Sequence, residues 1–293
     1  MDADYDAEQL TTAVVDRFRE TQDPRLREVF EAMVRHTHAF IKETQPTIEE
    51  WQAGIDFLTA IGQKCDDLRQ EFILFSDVIG VSMLTEIIND RETPDATDST
   101  VLGPFHTVVS PVREIGENIS AESSGEISIV RGIVTDSLGQ PVAGAQVDVW
   151  QANQEGFYDV QQPGVQSIGN GRGLFTTTED GAFWFQTVIP NYYPVPTDGP
   201  VGDLLAAASR HPYRPAHIHF IVKASGYDEL TTHIFIKGSP YIDSDTVFAV
   251  KESLVYAFDD FAEPELARDY GVSAPFKMAS LKLVLHSTGS SDA

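Results

Sequence analysis

The sequence predicts an α+β protein in which a helical N-terminal region precedes a mainly antiparallel β-sandwich. Glycine and proline, which interrupt regular helices, are distributed unevenly along the chain. Residues 1–93 contain two of the 16 prolines and three of the 21 glycines, and residues 94–293 contain the rest. Short alternating segments separated by turn residues also fill the second part. We therefore expect a helical domain over 1–98 and a β-sandwich domain over 99–293.

Three start signals define helices in the first region. Asp23 directly precedes a proline, which combines an N-cap with a favourable first helical residue. Residues 47–50, Thr-Ile-Glu-Glu, have the spacing of a capping box. Asp66 or Asp67 is placed to begin a third helix over 68–88, which is apolar on nearly every side. Such a helix is buried on several faces or lies in an interface.

In the second region, polar and apolar residues alternate in short segments, as they do in half-buried strands. Residues 136–141, Asp-Ser-Leu-Gly-Gln-Pro, are typical of a turn between two of these segments. Short strands with turns between them favour a β-sandwich. The predicted strands cover 127–133, 145–150, 182–189, 216–223, 231–237 and 280–286.

The charge balance excludes two classes of partner. The 293 residues include 45 acidic and 20 basic side chains, which gives a formal net charge of −25. Phosphate backbones and anionic lipid surfaces attract basic proteins, so we expect no nucleic-acid partner. No apolar run approaches ~20 residues, and we therefore expect no membrane insertion. A single cysteine, Cys65, and an acidic N-terminus without features of a secretion signal favour the cytoplasm.

The segment 214–220, Arg-Pro-Ala-His-Ile-His-Phe, indicates a metal site. Because side chains alternate along a strand, His217 and His219 lie on one face, where both imidazoles can bind the same ion. Histidines that only lie on a polar face show the same pattern. A carboxylate as third ligand would favour zinc or ferrous iron, whereas tyrosine, a hard anionic ligand, would favour ferric iron. Tyrosines lie nearby in 154–159 and 191–196, but spacing alone does not select among the nine in the chain.

Two other functional classes are compatible with these residues. In a zinc hydrolase, His217 and His219 would share the ion with a carboxylate such as Asp243 or Asp245. In a non-enzymatic binding module, the histidines would be structural and the helices would serve association. A sandwich fold by itself does not separate these classes, because one fold supports many functions.

Four segments, in order along the chain, resemble the intradiol ring-cleavage dioxygenases, the family of the catechol and hydroxyquinol dioxygenases. They are 99–106, 148–158, 193–202 and 214–220. The resemblance implies a ferric enzyme of aromatic compound degradation that uses O₂ to cleave a ring between adjacent hydroxylated carbons. It implies one Fe(III) per subunit, with Tyr158, Tyr193, His217 and His219 as the protein ligands.

The same resemblance implies roles for other side chains. Arg214 corresponds to the family arginine that steadies negative charge on the bound ring, and Tyr193 would accept a substrate proton. His233 stands where many catechol-type members carry glutamine, and we expect it to line the site. The implied pocket walls are Leu74, Asp77, Val101, Leu102, Gly103, Pro104, Val195 and Pro196.

Within the family, the sequence is most similar to members that act on hydroxyquinol, benzene-1,2,4-triol. The similarity rests on Ser-Asp-Val at 76–78, the segment 99–106 and Thr-Thr-His at 231–233. Chlorocatechol and catechol are the alternative substrates, because chlorocatechol enzymes share the first two features. Asp77 could accept a hydrogen bond from a third ring hydroxyl, or a helix end or a neighbouring arginine could satisfy it instead. The expected product is 3-hydroxy-cis,cis-muconate/maleylacetate.

The resemblance also implies an assembly. The helical region 1–98 would join two subunits into a homodimer, and 99–293 would be the catalytic domain. A phospholipid would occupy an amphipathic tunnel at the dimer interface. The apolar segment 68–88 is compatible with such an interface and also with a buried core.

Overall fold

Two of the three predicted start signals begin helices, whereas the first helix of the structure, capped by Asp6, is not predicted. In the computed structural model, which describes residues 5–67, 69–89, 96–106 and 108–288, the Asp23 carboxylate accepts backbone hydrogen bonds from Arg25 and Leu26. Thr47 and Glu50 form the predicted capping box, in which each backbone N–H donates to the side chain of the other. The helices are α1 (Ala7–Asp16), α2 (Pro24–Thr44), α3 (Ile48–Lys64), α4 (Glu71–Val78), α5 (Val81–Asn89), α6 (Pro200–Ala207) and α7 (Pro264–Asp269).

The prediction of one long third helix is wrong, because the segment forms two helices. α4 and α5 are separated by Gly80, whose backbone has the left-handed value φ +75°. The N-cap of α4 is Gln70, so neither predicted aspartate caps it. The Asp66 carboxylate instead accepts the backbone N–H of Arg69 in the preceding turn. Leu68, where the prediction starts, lies outside the described residues.

The second region contains eleven described strands. The six predicted strands correspond to the longer ones, whereas the five shorter strands have no clear signal in the sequence. In chain order the strands are β1 (Ile127–Asp136), β2 (Gln146–Gln151), β3 (Arg172–Thr176), β4 (Ala182–Val188), β5 (Tyr193–Pro194), β6 (Tyr213–Arg214), β7 (His217–Lys223), β8 (Leu230–Ile236), β9 (Val255–Tyr256), β10 (Asp259–Phe261) and β11 (Phe276–Leu285).

These strands form the predicted sandwich. One sheet has the order β10-β11-β1-β4, the other has the order β3-β2-β7-β8-β9, and β5 pairs with β6 in a separate ribbon. Pairing is antiparallel except between β1 and β11 and between β8 and β9. The mainly antiparallel α+β architecture is therefore confirmed.

Apolar side chains from the facing surfaces of the two sheets fill the space between them. Val130 of β1 and Phe185 of β4 belong to the same core as Val149 of β2 and Phe220 of β7. Because side chains alternate along a strand, the opposite face of the five-stranded sheet carries a different set. The candidate site lies on that opposite face.

By packing, the chain divides into two units, Met1–Thr59 and Ala60–Ala293. The first contains α1 and α2, which pack on each other, and the second contains the sandwich. The boundary between residues 98 and 99 concerns the roles of the two regions and stays a prediction. Within the residues that the structure describes, none of the helices combines the length and the apolar character that a bilayer crossing requires.

Candidate metal centre

Three histidines lie side by side on the outer face of the five-stranded sheet. His217 and His219 are two residues apart on β7, and His233 of β8 is the register partner of His219. All three are buried, and one ring nitrogen of each lies within 4.8 Å of those of the other two. The Nε2 atoms of His217 and His219 are 3.2 Å apart. The alternation of β7 thus brings both imidazoles to one point.

Two tyrosines join this cluster from outside the sheet. Tyr158 lies in the connection after β2, Tyr193 begins β5, and both side chains are buried. Tyr158 Oη lies 2.9 Å from His219 Nε2 and 3.4 Å from His217 Nε2. Tyr193 Oη lies 3.3 Å from Tyr158 Oη and 3.5 Å from His217 Nε2. The structure therefore gathers the four residues that the sequence analysis assigns as iron ligands.

Glycine permits the loops around the cluster to approach the ligands closely. Gly156 has φ +84°, and a Cβ there would lie 2.8 Å from Tyr193 Cβ. Gly103 has φ +75°, and a Cβ there would lie 3.2 Å from His219 Cε1. Both positions combine a left-handed backbone with little free space, so glycine suits them best.

The four donor atoms fit a single metal ion. Five of the six pairs among them are 2.9 to 3.5 Å apart. Such separations match atoms that share one ion at bond lengths of about 2.0–2.2 Å. Two phenol oxygens, which are hard and anionic when ionised, and two imidazole nitrogens form a set that suits Fe(III).

The protonation of the histidines is the one that metal binding requires. His217 Nδ1 donates to the Pro215 carbonyl oxygen at 2.8 Å, which leaves the Nε2 lone pair directed at the cluster. Burial, followed by the positive charge of Arg214, holds the pKa of His217 well below its usual value. The ring is therefore neutral and able to bind a cation.

The tyrosines need the cation to ionise. Burial, followed by the repulsion of Tyr193, holds the pKa of Tyr158 well above its usual value. Burial also raises the pKa of Tyr193, although the nearby charge of Arg214 opposes this. A bound cation reverses such shifts, because it stabilises the anionic form of its ligands. Phenolate formation and metal binding are therefore linked at this site.

Arg214 stands beside the cluster and is held by Asp245. Its Nε donates to Asp245 Oδ1 at 3.1 Å, and its Nη1 lies 3.2 Å from His217 Nε2. Burial disfavours the charge of Arg214, but the combined attraction of Asp245, Tyr193 and Tyr158 outweighs this and the pKa is raised. Asp245 also accepts the backbone N–H groups of Val247 and Ala249. Its oxygens are thus occupied in holding a permanently charged guanidinium.

The carboxylates proposed for a zinc hydrolase are directed elsewhere. Asp243 is exposed, and it lines a groove of about 940 Å³ together with Asp245. Among the described residues that line this groove, none is one of the four donor residues. This groove is therefore separate from the cluster. The structure does not place either aspartate beside the histidines as a third ligand.

His233 presents one free nitrogen to the site. Its Nδ1 is hydrogen-bonded to Thr100 Oγ1, and its ring centroid lies 4.1 Å from that of His219. In the part of the chain that the structure describes, His233 Nε2 is buried without a hydrogen-bond partner. The side chain therefore lines the site, where the sequence analysis places it.

A cavity of about 340 Å³ opens near the tyrosines. Its walls include Phe105, whose ring stacks on Tyr158 with centroids 4.5 Å apart. Three of the eight predicted wall residues line it, namely Leu74, Pro104 and Pro196. The other five are distributed as follows: Val101, Val195 and Asp77 are buried, Gly103 covers the His219 ring, and Leu102 is exposed.

Asp77 is a buried carboxyl group on α4. Burial raises its pKa to about 6, although a hydrogen bond from Ser82 and the charge of Arg214 oppose the shift. Within the described residues, its Oδ1 atom has no hydrogen-bond partner. The group is therefore an acceptor with unused capacity.

Two aromatic residues that the sequence analysis does not assign to the site support its ligands. Trp150 stacks on His219, with centroids 4.5 Å apart and an interplanar angle of 13°. Phe105 packs on Tyr158 in the same way. The alternation of β2 places Trp150 on the face opposite the core, but only the register of β2 with β7 sets it beside His219.

Comparisons with known proteins agree with this geometry. Two family models match, "Catechol dioxygenase N terminus" over residues 23–97 and "Dioxygenase" over residues 105–277. The chain is 52% identical over 264 residues to hydroxyquinol 1,2-dioxygenase of Rhizobium sp. (strain MTP-10005), covering 90% of each sequence. It is 48% identical over 252 residues to 6-chlorohydroxyquinol 1,2-dioxygenase of Cupriavidus pinatubonensis, covering 86% of this chain and 91% of the relative.

A solved structure gives the same result. Hydroxyquinol 1,2-dioxygenase from Pseudomonas putida DLL-E4 matches with a TM-score of 0.88 at 44% identity, covering 96% of this chain and 98% of that chain. The zinc hydrolase and the non-enzymatic binding module are therefore wrong as hypotheses. With both regions matched by family models and relatives aligned over most of their length, the chain belongs to the intradiol ring-cleavage dioxygenase family.

Proposed function

We propose that this chain is a hydroxyquinol 1,2-dioxygenase that holds one Fe(III) per subunit through Tyr158, Tyr193, His217 and His219. It cleaves benzene-1,2,4-triol between adjacent hydroxylated carbons with O₂, and the product is 3-hydroxy-cis,cis-muconate/maleylacetate. The observation that carries the proposal is the convergence of two tyrosine oxygens and two histidine nitrogens at 2.9 to 3.5 Å. Relatives that are named for hydroxyquinol support the choice of substrate.

The bound ferric ion would supply the Lewis acidity that makes the diol acidic and its ring reactive towards O₂. The chain supplies proton transfer and orientation. Tyr193 accepts one substrate proton at its Oη, as a general base already positioned at the site. Arg214 steadies the negative charge of the deprotonated ring, because Asp245 holds its guanidinium in a buried ion pair.

Preference for the triol would come from Asp77. Its carboxyl group is buried, and Oδ1 has no partner among the described residues. A third ring hydroxyl is a donor that can satisfy this acceptor, whereas catechol and chlorocatechol lack that donor. A site built to hydrogen-bond a substrate hydroxyl discriminates strongly against an analogue without it, because the buried polar group is left unpaired. Catechol and chlorocatechol remain the alternative substrates, since chlorocatechol enzymes share part of the pattern.

Iron binding is tested by the visible absorption and the iron content of the purified protein. Fe(III) bound by tyrosinate gives a wine-red charge-transfer colour, and we expect Tyr158→Phe to lose both colour and iron. Tyr192→Phe is the matched control, because Tyr192 packs on Tyr213 and Tyr241. Colourless wild-type protein that contains iron would contradict the proposed site. Retention of colour and iron in Tyr158→Phe would show that another tyrosine is the ligand.

The substrate is tested by oxygen uptake with hydroxyquinol, catechol and chlorocatechols. We expect the highest kcat/KM with hydroxyquinol. A higher value with catechol or a chlorocatechol would reject the proposed substrate and leave the reaction class intact.

We also propose that two copies associate through the helical region, with a phospholipid at their interface. Apolar side chains of α2 and α3 that are half or more exposed support this, with Met33, Phe40, Ile48 and Trp51 as the clearest cases. Burial of such surface drives association.

Sedimentation should give twice the 32.3 kDa chain mass, and the double variant Met33→Glu with Trp51→Glu should give a lower mass. Native mass spectrometry tests for the lipid, and a monomeric wild type would reject this assembly. We keep the cytoplasm as our prediction for the compartment.

A further inference from the structure

We infer that Arg172 is a positioning residue that holds Tyr158 and His219 in place for metal binding. The inference rests on the proposed ferric site, because it concerns residues that would support two of its ligands. Arg172 lies on β3 and is 1% exposed. It is not a ligand, and it acts through the residues that contact it.

The first connection runs across the sheet. Arg172 of β3 is the register partner of Trp150 on β2, and Trp150 is the register partner of His219 on β7. His233 of β8 continues the same row. Register partners point to the same face of a sheet, so the four side chains form one row across four neighbouring strands. Within this row, Trp150 stacks almost parallel on His219, and Arg172 lies on the other side of Trp150.

The second connection runs to Tyr158 through its neighbour Asp159. The Arg172 Nε atom donates to both Asp159 oxygens at 2.9 Å, and Nη2 donates to Oδ1 at 2.6 Å. Asp159 is also 1% exposed, and it accepts the backbone N–H of Gly169 at 2.7 Å. A buried ion pair with this many hydrogen bonds holds the backbone that follows Tyr158 rigidly.

The third connection runs through Phe105, whose ring packs on the Tyr158 ring. Arg172 Nη2 donates to the Phe105 carbonyl oxygen at 2.9 Å. The Phe105 ring stacks on the Tyr158 ring with an interplanar angle of 23°. One guanidinium therefore fixes both the backbone beside Tyr158 and the ring that packs on it. Lysine cannot reproduce this, because its donors radiate from a single nitrogen and do not form a planar fork.

The positive charge of Arg172, like its hydrogen bonds, favours metal binding by Tyr158. Its positive charge lowers the pKa of Tyr158, although burial and Tyr193 dominate the shift. Arg172 therefore stabilises the phenolate that would bind the metal. Loss of this charge makes the phenolate a better electron donor, which moves a tyrosinate-to-iron charge-transfer band to longer wavelength.

The experiment compares the iron-loaded wild type with Arg172→Met and Arg172→Lys. The readouts are the position of the visible band, the rate of iron loss to a chelator and the melting temperature of each protein. Phe175→Leu is the control on the same strand, because Phe175 points into the core between the sheets and not towards the site. It loosens β3 without removing any contact of Arg172.

We expect Arg172→Met to bind iron roughly 10–100-fold more weakly and to absorb at longer wavelength, with Arg172→Lys between it and the wild type. Phe175→Leu should lower the melting temperature and leave the band in place. If Arg172→Met does not fold, the comparison of Arg172→Lys with the wild type tests the inference. A wild-type band position and rate of iron loss in the folded variant, or equal changes in Phe175→Leu, would overturn the inference. A wild type without the ferric-tyrosinate band would instead reject the proposed ferric site.

Discussion

At the scale of single residues, Asp77 illustrates the cost in stability of a buried carboxyl group. Its carboxyl group is 2% exposed, and burial raises its pKa to about 6 from an ordinary value of 3.8. Between about pH 4 and pH 6 the folded chain therefore holds more protons at this position than the unfolded chain. Linkage then requires the free energy of unfolding to fall as the pH rises through this window.

We expect Asp77→Asn to remove this penalty. At pH 7 the variant should be more stable than the wild type by up to about 3 kcal/mol, and the gain should vanish below about pH 4. It should also lose preference for hydroxyquinol over catechol. Denaturant unfolding at several pH values, with matched iron content, measures the first effect, and oxygen uptake measures the second. A stability difference that stays constant from pH 4 to pH 8 would contradict the raised pKa.

At the scale of elements, the break between α4 and α5 decides which apolar side chains are covered. α4 buries Leu74 and Val78, whereas Leu84 and Ile88 of α5 are exposed. Gly80 separates the two helices with a left-handed backbone, which costs glycine little and other residues more. The hydrophobic pattern continues through Gly80, so periodicity alone joins the two helices into one.

We expect Gly80→Ala to lower the free energy of unfolding by about 1 kcal/mol. The new Cβ would lie 3.7 Å from Phe248, an ordinary contact, so the loss comes from the backbone. Gly54→Ala is the control, because Gly54 lies inside α3 with open space around it. That variant should be more stable by up to about 1 kcal/mol. Denaturant unfolding measures both, and a Gly80→Ala variant as stable as the wild type would contradict the account.

At the scale of the whole molecule, the acidic surface sets how stability responds to salt. A net charge of −25 produces self-repulsion in the folded chain. Salt at 0.15 M shortens the range of that repulsion to about 8 Å. Several ion pairs on the described surface have both partners exposed and contribute little, so screening them does not offset the relief of repulsion.

We therefore expect the melting temperature at pH 7.5 to rise between about 10 mM and 150 mM sodium chloride, the range over which the screening length shortens most. The rise should shrink as the pH approaches the sequence pI of about 4.4, where the net charge vanishes. Scanning calorimetry of the iron-loaded protein measures both. A melting temperature that falls with added salt would mean that attractive ion pairs, and not net repulsion, dominate the surface.

Much of the architecture could be predicted from local signals. Glycine and proline content separates the helical region from the sandwich, and Asp23 and Thr47 begin helices through short-range hydrogen bonds. Alternation places His217 and His219 on one face, because the period of a strand is a local property. The short strands β5 and β6 escape prediction, since two residues carry no period.

Local patterns and family motifs are sufficient to establish the α+β architecture, the pair of histidines and the identity of the four candidate ligands. The folded chain was needed to show that Asp245 holds Arg214, and that Arg172 and Trp150 stand in one row with His219. The physical reason is that these contacts depend on register between strands and on loop closure. Both join residues distant in sequence, and neither leaves a local pattern to read.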